Sequence, residues 1–433
     1  LQSNQPPQKL YAEVVVNIPL NKIFHYSIPP HLRDNLTTGM RVKIPFGNKI
    51  TTGFCVGFTD TPSPYQIKDI INVIDKTPLA DDVMLKITKW LSSHYYCGWG
   101  EAINAVIPPV ARRSVKEKEA FFVTPCDALT KLDQKTLSQI KTRAPKQAKV
   151  LEFFSENFQE ISAKELIQIS GCKMPGLRQL EKKGFLAIQN KPQHFIDTPC
   201  DLGPLQQHLT FTEEQQNAFD IINKRLAQPK PGVILLHGIT GSGKTEVYLQ
   251  TIAKVLEHGR KAIFLVPEIS LTSQTIQRIK ARFNNVAILH SHLLGTFHYS
   301  QWNDIKEDKV DIVIGARSSI FAPLKNVGLI IIDEEHENTY KQENSPRYNA
   351  RDVAILRATY ENAMVILGTA TPSLETYYNT ITGNYEKIVL SKRIGNQQLP
   401  PIEIVDMSEE VRKRRGHHII SQRLSYYMNQ ALS

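Results

Sequence analysis

Gly238-Ile-Thr-Gly-Ser-Gly-Lys-Thr245 restricts the fold more than any other segment of this chain. It follows an apolar run, Val233–Leu236, and opens a helix-forming stretch from Glu246 to Leu256. Strand, glycine turn and helix in that order form the GxxxxGK[ST] phosphate loop. Glycines let successive backbone N–H groups turn inward, and the helix N-terminus adds its dipole. In this reading Gly238, Ile239, Thr240, Gly241, Ser242 and Gly243 wrap the phosphates, Lys244 reaches the outer ones, and Thr245 holds Mg²⁺. Such a loop needs a parallel sheet behind it. Ala262–Val266, Val286–Leu289, Ile312–Ile314, Leu329–Ile332 and Val365–Leu367 supply near-continuous apolar runs alternating with helical stretches. Runs of that kind are strands covered on both faces.

A phosphate loop needs a further acid for its metal. Val327-Gly-Leu-Ile-Ile-Ile-Asp-Glu-Glu-His336 is an apolar strand that ends in one. Asp333 is expected to hold Mg²⁺ through its water shell, and Glu334 to orient or deprotonate an attacking water. Lys244, Asp333 and Glu334 are therefore the expected catalytic residues.

Composition narrows the partner. There are 52 Lys+Arg against 42 Asp+Glu, a net charge of +10, which favours an anionic partner such as nucleic acid. No run of 18 apolar residues exists, so no membrane span is expected. The start, Leu1 to Gln8, is polar and lacks a signal-peptide pattern, and 1–9 reads as a frayed tail or artificial remnant. Five scattered cysteines, none in a CxxC pair, offer neither a disulfide framework nor a zinc site. A reducing, cytoplasmic setting is expected.

Upstream of the phosphate loop the texture differs. Tyr11–Ile18, Met40–Phe46 and Thr52–Phe58 are short, β-branched or aromatic, and punctuated by Gly39, Gly47-Asn48 and Pro62-Ser63-Pro64. A helix is expected from about Asp81 to His94. Arg112 to Glu119 reads as a boundary. Residues 146–190 read as three helices and a wing strand, Gly184–Ile188, with Ser162-Ala-Lys-Glu165 as a capping box. That is a winged-helix pattern; a helical spacer is the alternative. Three prolines mark 191–208 as a linker.

Asp-Glu-Glu-His after a phosphate loop resembles the DEAH-like members of helicase superfamily two, and other motifs then fall in order. Thr212-Glu-Glu-Gln215 resembles the Q-motif, in which Gln215 would read the adenine edge. Val266–Thr272 looks like motif Ia, Gly315–Pro323 like motif Ib, and Gly368-Thr-Ala-Thr-Pro-Ser373 like motif III, with Thr369 and Thr371. VPEISLT, GARSSIFAP, DEEHE..YKQE..PRYNARD and GTATPSLE together closely resemble the bacterial primosomal replication-restart helicases.

The resemblance implies a multidomain α/β protein. A 3′ DNA-end-binding domain would occupy 10–110 and a winged helix 111–190. After the linker, a RecA-like lobe with a parallel sheet would fill 209–394, and 395–433 would lead into a second lobe. The activity implied is ATP-dependent 3′→5′ unwinding, fork recognition and primosome assembly, with ATP and Mg²⁺ as cofactors. Implied partners are forked DNA with a 3′ leading-strand end, single-stranded DNA, single-stranded-DNA-binding protein and primosome proteins.

Ser270, Thr272, Arg317 and Ser318 would contact DNA phosphates. Tyr340, Lys341, Arg347 and Tyr348 match an aromatic-rich loop, where a tyrosine either stacks a base or packs as core. Phe24, His25, Tyr26, Gly39 and Lys68 align with the 3′-end pocket, although the family commonly carries Asp where His25 stands. Zinc is expected only with the family's cysteine-rich insertion, and the arginine finger with its second lobe; neither has a counterpart in these residues. The chain by itself is therefore expected to be inactive in hydrolysis, and residue 433 reads as a truncation point. The rival readings are a double-strand translocase, a nucleotide-switched DNA-structure binder and, least favoured, a P-loop kinase.

Overall fold

A computed structural model describes residues 11–61, 67–112, 119–126, 140–156, 161–192, 209–230, 232–268, 273–289, 295–396, 402–414 and 419–432. The first unit is a six-stranded sheet. Its strands are β1 (Tyr11–Val16), β2 (Phe24–Ser27), β3 (Arg41–Phe46), β4 (Lys49–Thr59), β5 (Lys68–Asp69) and β6 (Asn72–Val73), in the order β5-β2-β1-β4-β3-β6. β5 and β6 lie at opposite edges, yet three Cα–Cα steps separate Asp69 from Asn72, a span of at most about 11 Å. The sheet must therefore curl to bring its edges together. The helix Asp82–His94 follows, its start fixed by Asp81, whose carboxylate accepts from the Met84 N–H at 2.7 Å.

A second unit runs from β7 (Glu119–Pro125) through the helix Pro145–Glu156, β8 (Ile161–Ser162), the helices Ala163–Ser170 and Met174–Lys182, to β9 (Leu186–Pro192). The three helices fall where the apolar spacing predicts them. The last strand, however, pairs along its whole length with β7, a strand absent from the sequence reading, in the order β8-β7-β9. The helix Ala163–Ser170 begins directly after Ser162 and stops at Gly171, whose φ of +65° suits glycine. Residues 1–10 and 193–208, the expected tail and most of the expected linker, lie outside the described residues.

The third unit is a seven-stranded, all-parallel sheet. β10 (Val233–Gly238), β11 (Lys261–Leu265), β12 (Val286–Leu289), β13 (Ile312–Gly315), β14 (Val327–Asp333), β15 (Met364–Thr369) and β16 (Glu386–Leu390) lie in the order β12-β13-β11-β14-β15-β10-β16. Six were expected; β16, with its alternating charge, was not. The apolar runs are explained by the two faces. Ile330 and Ile332 enter one core, Leu329 and Ile331 the other, and all four are fully buried.

One of those cores continues into the N-terminal unit. Met84, Ile87 and Leu91 of the helix Asp82–His94 belong to the same apolar interior as Ile330, Val353 and Leu367. The Lys306 ammonium also donates to the Thr77 hydroxyl, at 2.7 Å. The N-terminal unit and the parallel sheet thus share a core rather than merely touching.

Candidate nucleotide and nucleic-acid site

β14, β15 and β10 are neighbours in the sheet, and each delivers a motif at its carboxyl end. The crevice outside such strand ends is where α/β sheets bind ligands. After β10 the loop turns through Gly241 and Gly243, both at φ +81°, and Gly243 caps the helix Lys244–Glu257. Gly243 lies in a backbone region that L side chains rarely adopt, and a Cβ there would also crowd Gln215 Nε2 at 2.2 Å, so a substitution would be strained. Lys244 is buried, and its ammonium donates to the Gly238 carbonyl at 2.6 Å. Ser242 Oγ is buried with no hydrogen-bond partner, and Thr245 is half-buried at the helix start. A glycine cradle, a hydroxyl in need of a partner and a cation parked on the loop suit a phosphate chain with its Mg²⁺.

Asp333 ends β14 and faces this loop. Burial, reinforced by the neighbouring Glu334 charge, raises its carboxyl to about 6. Tyr248 donates its hydroxyl to Asp333 Oδ1 at 3.1 Å, and Tyr340 donates to the Asp333 carbonyl at 2.7 Å. Glu334 sits at φ +48°, an uncommon conformation for a residue with a side chain. His336 lies 3.7 Å from the Glu334 carboxylate and is hydrogen-bonded to the buried Thr369 hydroxyl at 2.7 Å. That hydroxyl also accepts from the Thr371 N–H at 3.0 Å.

Two residues that the sequence reading did not single out bind motif II to motif III. Glu335 is buried, and its carboxylate accepts from Arg351 at 2.8 Å, from the Ser373 N–H at 2.8 Å and from the Thr376 hydroxyl at 2.9 Å. Arg351 comes from the helix Ala350–Glu361, which Asn349 caps. The one available signal was the charged pair Glu335 and Arg351 amid motifs already recognised. Glu214 is a further surprise. It accepts from the Ser391 and Lys392 N–H groups, both into one oxygen, and so pins the segment after β16 beside the phosphate loop. There Ile394 N–H donates to the Gly241 carbonyl at 3.0 Å.

Several expected contacts need correction. Gln215 was expected to read adenine, but both ends of its amide are engaged. Its Oε1 accepts from the Thr212 N–H at 2.9 Å, closing a capping box, and its Nε2 donates to the Ser242 carbonyl at 2.9 Å. In this structure Gln215 braces the phosphate loop. Tyr340 and Tyr348 are core residues, 1% and 4% exposed, so neither offers a face to a base. Tyr348 packs edge-on against Phe321 with ring centroids 5.0 Å apart. Arg317 does not reach outward as a free cation: it lies 5.9 Å from the Tyr348 ring and donates to the Thr339 carbonyl at 3.1 Å. Lys341, Arg347 and Ser318 are exposed. They rim or adjoin a cleft of about 440 Å³, lined also by Val266, Glu268 and Asn344 in the case of Ser318 and Lys341. Ser270 and Thr272 lie outside the described residues.

The N-terminal set does not converge completely. Phe24 packs edge-on against Phe46 at 5.2 Å, Tyr26 donates to the Pro45 carbonyl at 3.1 Å, and Lys68 pairs in register with Tyr26 and reaches the Gly47 carbonyl at 3.5 Å. These three gather at the Phe46-Gly47 corner. His25 points to the opposite face of β2, 3.8 Å from Glu13. Gly39 leaves no room for a side chain, because a Cβ there would meet the Ala80 carbonyl at 1.9 Å.

Three motifs at adjacent strand ends around a phosphate cradle define the first lobe of a P-loop helicase fold. Residues 212–380 match the DEAD/DEAH box helicase family, and residues 13–108 match the 3′ DNA-binding domain (3′BD) of PriA. The chain is 34% identical to the replication restart protein PriA of Bacillus subtilis, covering 93% of this chain and 58% of that protein. It is 34% identical to the Chlamydia muridarum PriA (98% and 57%) and 34% identical to the Haemophilus influenzae PriA (92% and 54%). Over nearly all of its length the chain is thus similar to PriA replication restart proteins. It spans a little over half the length of these curated relatives.

Proposed function

We propose that this chain is the fork-binding and first motor part of an ATP-dependent 3′→5′ DNA helicase that recognises abandoned replication forks and initiates primosome assembly. The observation that carries the reading is the meeting of the glycine cradle, Asp333 and the Thr369 strand end at three adjacent strands. Thr245 and Asp333 would hold Mg²⁺, which supplies positive charge to the phosphate oxygens. Lys244 would leave the Gly238 carbonyl for the phosphates. Glu334, steadied by His336, would orient the attacking water, and Thr369 would carry the state of that pair to motif III. The second unit, with its basic helix Met174–Lys182, would serve as a winged helix on duplex DNA. The residues 13–108 that match the 3′BD would hold a 3′ end at the corner of Phe24 and Lys68, which the buried Tyr26 braces through the Pro45 carbonyl.

Lys244→Ala should weaken ADP binding at least tenfold, since a hydrogen bond to a charged group contributes roughly 1.5–3 kcal/mol. Gln215→Ala should weaken ADP and GDP alike, as befits a brace. Calorimetry showing equal ADP affinity in wild type and Lys244→Ala would overturn the nucleotide reading. Residues 1–433 alone should bind ATP but turn it over slowly, because the family resemblance places the arginine finger, worth roughly 10³–10⁵ in rate, in the opposite lobe. Rapid turnover abolished by Glu334→Gln would refute that part.

DNA binding should come from Lys341 and Arg347 rather than from the tyrosines. Each →Ala change should lower the salt dependence of single-strand binding by a slope of about 0.7, the value for one single-strand phosphate that is no longer neutralised. Tyr348→Phe should leave the titration unchanged. Anisotropy across a salt series decides this, and an unchanged slope for both cation variants would count against the loop as a DNA surface. A nucleotide-switched binder without unwinding is the second reading, favoured by the arrangement in which Glu335 and Thr369 link the nucleotide crevice to surrounding elements.

A further inference from the structure

Tyr248 stands one turn beyond Lys244 on the helix Lys244–Glu257, and it is fully buried. An apolar side chain would fill the same room. The tyrosine instead brings a hydroxyl into the interior, and a buried hydroxyl needs a partner. Its partner is Asp333 Oδ1, at 3.1 Å.

Gly368 completes the arrangement. It is the register partner of Asp333 across β14 and β15. A Cβ on Gly368 would stand 1.5 Å from the Tyr248 hydroxyl, 2.7 Å from its ring carbon Cζ and 3.4 Å from Asp333 Oδ1. The phenol therefore occupies space that exists only because residue 368 has no side chain. The Gly368 carbonyl in turn accepts from the Glu335 N–H at 3.1 Å. The phosphate-loop helix, the metal-side acid and the first residue of motif III meet in one close-packed cluster.

We propose that Tyr248 is a positioning residue for Asp333, and that Gly368 is the opening in motif III that admits it. The proposal rests on the nucleotide reading above and adds a residue to it. Holding Oδ1 restricts rotation of the carboxylate and presents Oδ2 in one orientation. Tyr340 fixes the Asp333 backbone from the other side. A displacement of the β15 end presses on the phenol before it reaches the acid, so motif III and the metal-side carboxylate are coupled through packing.

The test is Mg²⁺-dependent nucleotide binding by Tyr248→Phe, which keeps the ring and removes only the hydroxyl. ADP affinity is measured by calorimetry with Mg²⁺ and with EDTA. Affinity in EDTA should match wild type, while the gain on adding Mg²⁺ should fall about tenfold, the effect typical of an outer-shell partner of a metal ligand. An unchanged gain, or an equal loss in EDTA, would overturn the positioning role. A wild-type protein that gains nothing from Mg²⁺ would instead remove the nucleotide reading on which the proposal stands. Gly368→Ala should also lower the gain, and by less in the Tyr248→Phe background, because the added methyl meets the phenol oxygen first. Additive losses in the double variant would refute the shared-space part.

Discussion

Glu335→Ala is expected to destabilise the helicase lobe by about 3–5 kcal/mol, the range for breaking a buried ion pair by removing one partner. The carboxylate is buried and gathers Arg351, the Ser373 N–H and the Thr376 hydroxyl around it. Without it a guanidinium and its polar neighbours lose their common acceptor. Glu335→Gln should be milder, because an amide oxygen still accepts. The drop in unfolding midpoint for the alanine variant should be on the order of 10 °C for a lobe of this size. A drop below about 2 °C would show that the network contributes little. DNA and nucleotide should also cease to affect one another's binding, because motif II would no longer hold the start of the helix Leu374–Ile381.

Gly39→Ala should have an effect of similar size in the N-terminal unit. Its φ of +82° costs an alanine roughly 1–2 kcal/mol, and the clash with the Ala80 carbonyl adds roughly 1–3 kcal/mol of overpacking. Binding should then fall equally on forks with a free 3′ end and on forks with a blocked one, because the junction of β3 with Pro78–Ala80 is broken. Lys68→Ala should instead leave the unfolding midpoint in place and erase only the preference for a free end. If Gly39→Ala kept its midpoint and lost end preference selectively, glycine would be lining the pocket after all.

The parallel sheet and phosphate site were legible because their signals are local. A strand covered on both faces is apolar throughout, as in Leu329–Ile332, and a phosphate loop is contiguous. β16 escaped because it alternates: Ile388 and Leu390 are buried while Lys387 and Val389 are exposed. Tyr340 and Tyr348 were ambiguous because a tyrosine among cations has the same spelling whether it packs inward or outward. Gln215 was given a ligand's role where the structure gives it a structural one, since its partner, Ser242, lies 27 positions away. Glu214 with Ser391 and Tyr248 with Asp333 are likewise pairings across the fold, which spacing does not announce.

The shared interior of the N-terminal unit and the parallel sheet has a mechanical consequence. Tyr95, just past the helix Asp82–His94, donates to the Asp352 carboxylate at 3.0 Å and accepts from the Asn349 N–H at 3.2 Å. With Leu91 and Val353 in the same apolar interior, a rotation of one unit against the other would have to break this packing. On the function proposed above, the chain would work as a caliper with fixed jaws. One jaw is the Phe24–Lys68 corner, the other the Lys341 cleft, and their separation is a property of the molecule. A substrate whose free end and exposed strand are spaced wrongly would be refused by length, without any base being read.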